Sequence, residues 1–125
     1  MSDLLVATSI RESVEELNSM ILQGQILEAF DKFYADDVVM ADNFTGDRAG
    51  FDACRKFEED FVANLTAFRG AEVQDITVDE DNGLAFVKWH FDYTHKEWGD
   101  KNYVQVAVQR WKDGKIVHER FLYGF

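Results

Sequence analysis

From Leu84 onward the chain is written in a two-residue period, and a chain so patterned has little choice but to fold as antiparallel sheet. Ala85, Val87, Trp89, Phe91 and Tyr93 share one face of a strand over 84–97, while Lys88, His90 and Asp92 share the other. Trp98-Gly99-Asp100-Lys101 turns that strand back into another over 102–111. Asp113-Gly114, set between two β-rich runs, predicts a tight hairpin into a last strand over 115–125. Ahead of these, residues 72–79 read as a strand that reverses at Glu80-Asp81-Asn82-Gly83.

The N-terminal half follows a helical period instead. Ile10, Val14, Leu17 and Ile21 recur at helical spacing, and Gly24 suits a left-handed cap after them. A shorter helix follows with Ile26, Leu27, Phe30 and Phe33 inward. Val38-Val39-Met40 reads as a short strand, residues 43–50 as a turn-rich loop, and 51–65 as a third helix. Its apolar stripe is Cys54, Phe57, Phe61 and Leu65, with Glu58, Glu59 and Asp60 largely on other faces. Helices followed by a meander predict an α+β fold, with the helices on one face of a curved sheet. The chain has 125 residues, no proline, no repeat and no linker-like segment, so a single domain over 1–125 is expected. Eleven Phe residues call for a thick core or a cavity walled by aromatics.

The alternation also says that both sheet faces are covered. Tyr103, Gln105, Ala107 and Gln109 oppose Val104, Val106 and Val108 on one strand. On the last, Val117, Glu119, Phe121 and Tyr123 oppose His118, Arg120 and Leu122. One face is expected to cover a pocket. The other, with Val104, Val106, Val108 and Leu122, is too apolar to stay wet and predicts a homodimer.

Charge and composition exclude several classes. A net charge of −11 leaves no basic footprint for nucleic acid or an anionic membrane surface. The segment Met1-Ser2-Asp3-Leu4-Leu5-Val6-Ala7 lacks the basic start and apolar run of a signal peptide. Nor does any stretch approach the roughly 18 apolar residues of a membrane span. A cytoplasmic, reducing location is therefore expected. The lone Cys54 excludes an internal disulfide and reads as a packed thiol. His90, His95 and His118 have no second ligand at metal-binding spacing, so no metal is expected. No cofactor is expected either, since phosphate loops, dinucleotide fingerprints and Ser-His-Asp arrangements are missing from the sequence.

Phe33-Tyr34-Ala35-Asp36-Asp37-Val38-Val39-Met40-Ala41-Asp42 resembles a "YADDA-x-x-x-D" segment that leads from a second helix into a strand. Gly50 opens the third helix after a loop similar to a "G-x-x-x-x-x-x-G" turn, and residues 109–117 resemble a penultimate hairpin. In this order they resemble the SnoaL-like and ketosteroid-isomerase-like branch of the nuclear-transport-factor-2-like superfamily, over about residues 14–125. The resemblance implies a cone-shaped fold, three N-terminal helices on a curved, mostly antiparallel sheet, enclosing one pocket. It implies a general base at Asp42, which ends the first motif. The isomerases' oxyanion donors would be a Tyr near residues 17–19 and a protonated Asp at Ala107. This chain has neither, and the family's Asp-Pro is Asp42-Asn43 here. Losing even one such donor commonly costs about 2.7–4 kcal/mol of barrier, so steroid-type isomerisation is not implied.

Carrying the family's inward face onto this chain gives Val87, Trp89, Phe91 and Tyr93 on one strand and Tyr103, Gln105 and Ala107 on the next. Glu119, Phe121 and Tyr123 follow on the last, with Tyr34, Phe57 and Glu58 from the helices. An aromatic cavity with a few convergent polar groups suits a small apolar ligand. A carboxyl in such a cavity has its pKa raised, which suits acid–base work near neutrality. Asp42 has two readings, a general base or an Asp that hydrogen-bonds its local turn. Glu119 also has two, a cavity acid or a salt bridge to Arg69 or Arg110. The leading expectation is a small-molecule-binding isomerase, cyclase or lyase acting on an apolar, carbonyl-containing substrate. The alternative is a non-catalytic dimeric module whose cavity is filled by Trp89, Phe91 and Tyr123.

Overall fold

Three helices lie on a curved six-stranded sheet, and two strands of that sheet fall between the second and third helices in the chain. The computed structural model describes residues 8–124. The Met1–Ala7 segment read above, and Phe125 at the expected end of the last strand, lie outside the described residues. Helix α1 spans Ile10–Leu22, α2 Ile26–Phe33 and α3 Phe51–Ala63. The strands are β1 Tyr34–Asp42, β2 Arg48–Ala49, β3 Leu65–Asp79, β4 Leu84–His95, β5 Gly99–Lys112 and β6 Lys115–Tyr123. Among the described residues, no helix is long and apolar enough to cross a membrane.

Helix α1 starts where its sequence can satisfy the first free N–H groups. Ser9 Oγ accepts from the Glu12 amide at 3.1 Å, and Glu12 accepts from the Ser9 amide at 3.1 Å, a reciprocal capping box. The next two amides, of Ile10 and Arg11, donate to the Glu80 carboxylate at 2.9 and 3.0 Å. Because Glu80 sits in the β3–β4 turn, these bonds tie the start of α1 to the far edge of the sheet.

The strand order is β2-β1-β6-β5-β4-β3. Every neighbouring pair is antiparallel except β1 with β6, which run parallel. That one parallel pairing sets the site. It lays Met40 beside Glu119 and Asp42 beside Phe121, so residues far apart in sequence meet at one end of the sheet. Helix α1 packs over β3 and β4, whereas α3 packs over β1 and β2. Between helices and sheet lies a core that includes Val14, Leu17, Phe30, Val38, Cys54, Val87 and Ile116, all buried.

Several boundaries differ from the sequence expectation, each for a physical reason. Strand β1 extends from Tyr34 rather than Val38, which makes Tyr34 a strand residue and not a helical one. Residues 48–49 form the short strand β2 where a loop was expected. Strand β3 begins at Leu65, seven residues before the expected start, so Leu65 leaves the helical stripe. Register shifts after Leu65, Phe68 and Val73 interrupt its alternation and hide the period. The β4–β5 reversal comes early, at residues 96–98, because His95 Nδ1 accepts the amides of Glu97 and Trp98 at 3.1 and 3.3 Å. In β6 the register slips between Arg110↔His118 and Trp111↔Ile116, leaving Val117 as the extra residue. Ile116, not Val117, therefore occupies the core beneath Glu119.

Candidate active site

The concave face of the sheet and the three helices enclose a cavity of about 560 Å³ with mostly apolar walls. Trp89, Phe91 and Tyr93 come from β4, Tyr103, Gln105 and Ala107 from β5, and Glu119, Phe121 and Tyr123 from β6. Tyr34 and Asp42 of β1 and Phe57 and Glu58 of α3 complete the expected set on the wall. Val87 is the exception. It is fully buried in the apolar core and does not reach the cavity. Trp89, Phe91 and Tyr123 line the space and do not fill it.

Three carboxyls line this cavity, those of Glu119, Glu58 and Asp42. Glu119, 2% exposed, accepts hydrogen bonds from Tyr34 Oη and, at 2.8 Å, from Gln109 Nε2. Gln109 is itself oriented by Trp111, whose indole N–H donates to Gln109 Oε1 at 3.0 Å. The indole thus fixes which end of the amide meets the carboxylate. Glu119 pairs with neither Arg69 nor Arg110: Arg69 bonds Asp92 at 2.7 Å instead. Burial pushes the Glu119 carboxyl up to about 7, against the bonds from Tyr34 and Gln109, which hold it down. Burial, and after it the negative charge of Glu119, likewise raises Glu58 to about 7. Glu58 accepts no hydrogen bond from the described residues. Its place on the wall follows from helical spacing, one turn after Cys54 on the same stripe, while Glu59 and Asp60 stay exposed. The Tyr34 hydroxyl is held well above its ordinary value by burial and by Glu119, so it remains a donor.

A third carboxylate closes this end. Asp42 Oδ2 meets Arg48 Nη1 at 3.2 Å, and the Arg48 guanidinium lies over the Phe57 ring, 3.8 Å from its centroid. Strand β2 places Arg48 there by pairing it with Met40. The turn after Asp42 is held by its carbonyl, not its carboxylate, through Thr45 N at 3.2 Å and Thr45 Oγ1 at 2.6 Å. Asn43 takes a positive φ of 52° and donates its amide to Phe121 O at 2.7 Å. Proline could do neither, which accounts for Asn where the family has Pro.

Sequence reasoning missed several wall residues. Asn18 of α1 is 4% exposed and lines the cavity, and its Nδ2 has no hydrogen-bond partner among the described residues. Asn at an apolar-flanked helix position next to Leu17 was the available signal. Gln109 was placed on the inward face but not recognised as the partner of Glu119. Lys101 and Trp98 reach the wall because the hairpin turns early. Arg48 had no periodic signal, since a two-residue strand has no period. His95 is buried in the hairpin, stacked on Trp98 with centroids 3.8 Å apart, and His90 bonds Asn102 at 2.6 Å on the outer face. Among the described residues, no cluster of His, Cys, Asp and Glu could hold a metal ion.

The same architecture recurs in solved structures. A Mesorhizobium loti protein provisionally named a SnoaL-like polyketide cyclase is 25% identical, with a TM-score of 0.79 over 91% of this chain and 98% of that one. A Pseudomonas putida protein provisionally named a polyketide cyclase is 18% identical, with a TM-score of 0.74 over 95% and 94%. A Burkholderia pseudomallei NTF2-like protein of unknown function is 14% identical, with a TM-score of 0.77 over 94% and 92%. At such identities the last two speak for the fold alone. No curated protein matches the chain by sequence. The SnoaL-like domain family matches residues 11–119, and the chain is a member of that family, within the nuclear-transport-factor-2-like superfamily.

Proposed function

We propose that the cavity binds a compact, mostly apolar ketone and moves a proton on it, with Glu119 as base and Glu58 as acid. The observation behind this reading is the pair of enclosed carboxyls, each raised to about 7, in one cavity. Like charges confined together hold about one proton between them at neutral pH. The two bonds from Tyr34 and Gln109 favour the charge on Glu119, and Glu58, which has neither, keeps the proton. In the step, Glu119 takes a proton from the carbon beside the carbonyl as that C–H bond breaks. Glu58 gives its proton to the carbonyl oxygen, and the product is an enol. Asp42, the base that the resemblance implies, is held in this reading by Arg48, and the ion pair walls that end of the cavity. The provisional name of the Mesorhizobium loti neighbour, a SnoaL-like polyketide cyclase, fits this class of carbonyl chemistry.

The test is deuterium uptake at C2 of 1-tetralone in D2O, followed by proton NMR. The protein is expected to accelerate it, and Glu119→Gln to lower the rate by a factor on the order of 100 or more while the chain stays folded. Uptake no faster with protein than without it would refute the reading. A non-catalytic module is disfavoured by the open cavity and its two convergent acids. Dimerisation through the outer face of the sheet is part of the same proposal.

A further inference from the structure

The hydrogen bonds around Glu119 end on a residue outside the cavity. Tyr34 and Gln109 donate to the two oxygens of Glu119, and Trp111 Nε1 donates to the far end of the Gln109 amide at 3.0 Å. Trp111 is not on the cavity wall. It is 5% exposed, its backbone N–H donates to Gly83 O at 2.7 Å, and its ring meets the Phe33 ring edge-on at 5.9 Å. Gln109 and Trp111 alternate onto the same buried face of β5, which brings the indole beside the amide.

The two ends of a carboxamide suit different forms of a carboxyl. The NH2 end suits the carboxylate, which only accepts. The oxygen end suits the protonated carboxyl, which has an O–H to donate. An indole N–H only donates, so it holds the Gln109 oxygen and presents the NH2 end to Glu119. With Trp111 in place, a protonated Glu119 finds no acceptor on the Gln109 side. Tyr34 imposes no such choice, because a hydroxyl rotates to serve either form. The other charged or titratable groups facing Glu119 are Asp42 from β1, Arg48 from β2, and Cys54 and Glu58 from α3. Among the described residues, none of these bonds the Gln109 amide or the indole.

We infer that Trp111 assigns the roles in the carboxyl pair: by locking the Gln109 amide it keeps the proton off Glu119, so that Glu119 is the base and Glu58 the acid. This rests on the proposed function of the same cavity and adds the group that sets its direction. Trp111 is then a positioning residue, acting through Gln109 and touching nothing that reacts. Without the indole N–H the Gln109 amide turns, its oxygen accepts from the Glu119 O–H, and the shared proton moves from Glu58 to Glu119.

Trp111→Phe removes the N–H and keeps a ring against Phe33. Carbon-13 NMR of the glutamate carboxyls is expected to show Glu119 titrating about one pH unit higher than in the wild type, the worth of about one hydrogen bond. Glu58, relieved of its neighbour's charge, is expected to titrate lower. In a Gln109→Met background, which has no amide to turn, Trp111→Phe is expected to leave Glu119 unmoved. The wild-type protein gives a readout that needs no Trp111 variant. Its Trp111 indole N–H signal is expected to shift with the same midpoint as Glu119, and to stay fixed across pH in Glu119→Gln. Glu119 unmoved in Trp111→Phe, moved as far in the Gln109→Met background, or titrating without effect on the indole signal overturns the inference and leaves the cavity reading standing. Titration of every wild-type glutamate between about pH 3 and 5 ends the cavity reading, and this inference with it.

Discussion

At the scale of single residues, protonation is the property that decides what the site can do. Glu58 and Glu119 are raised from an ordinary value of 4.5 to about 7, so the folded chain holds protons that the unfolded chain releases. Their contribution to stability is complete below about pH 4.5 and is lost as the pH rises through about 7. Glu58→Gln is therefore expected to flatten this fall and to stabilise the protein at pH 8 by about 2 kcal/mol, as chemical denaturation at pH 5 and pH 8 would show. A fall of unchanged depth in the variant would mean that Glu58 is not the buried acid. The sequence made Glu119 legible, because a charge in an alternating inward row must point into the space that the row encloses. Glu58 was half legible: the family's inward face brought it to the pocket, while the helical period had set it with Glu59 and Asp60 largely on other faces, from which the structure moves it to the cavity wall. Asn18 carried only a weak signal and Arg48 none. One is a lone polar residue on an apolar helix face, and the other belongs to a strand too short to show alternation.

At the scale of elements, helix periods and hairpin turns were readable because each depends on local spacing. Non-local pairing was not. The parallel contact of β1 with β6 joins residues some 80 positions apart, and no local pattern announces it. Bulges hid the start of β3 and moved Ile116 into the core in place of Val117. The turn before β4 is the clearest local constraint. Gly83 has a φ of 68°, and a Cβ there would meet Trp111 O at 2.7 Å. Gly83→Ala is expected to cost about 2 kcal/mol or more, since both the backbone and the contact oppose it. A melting temperature unchanged by that substitution would show that the turn relaxes freely. The damage should reach the site, because Trp111 orients Gln109 and through it Glu119.

At the scale of the whole molecule, the sheet has two faces, and we propose a use for each. The concave face encloses the cavity. On the convex face Phe86 and Val104 are 40% and 43% exposed, beside Val106, Val108 and Leu122. Size-exclusion chromatography with light scattering at micromolar concentration is expected to give twice the monomer mass, and Val104→Lys to shift it toward the monomer. A monomer for the wild-type chain would refute the proposed dimer. The central claim concerns the cavity, and carbon-13 NMR of the glutamate carboxyls across pH 3–9 tests it most directly. Two carboxyls are expected to titrate near 7, with one of these signals lost in Glu58→Gln and the other in Glu119→Gln. Titration of every glutamate between about pH 3 and 5 would contradict the claim.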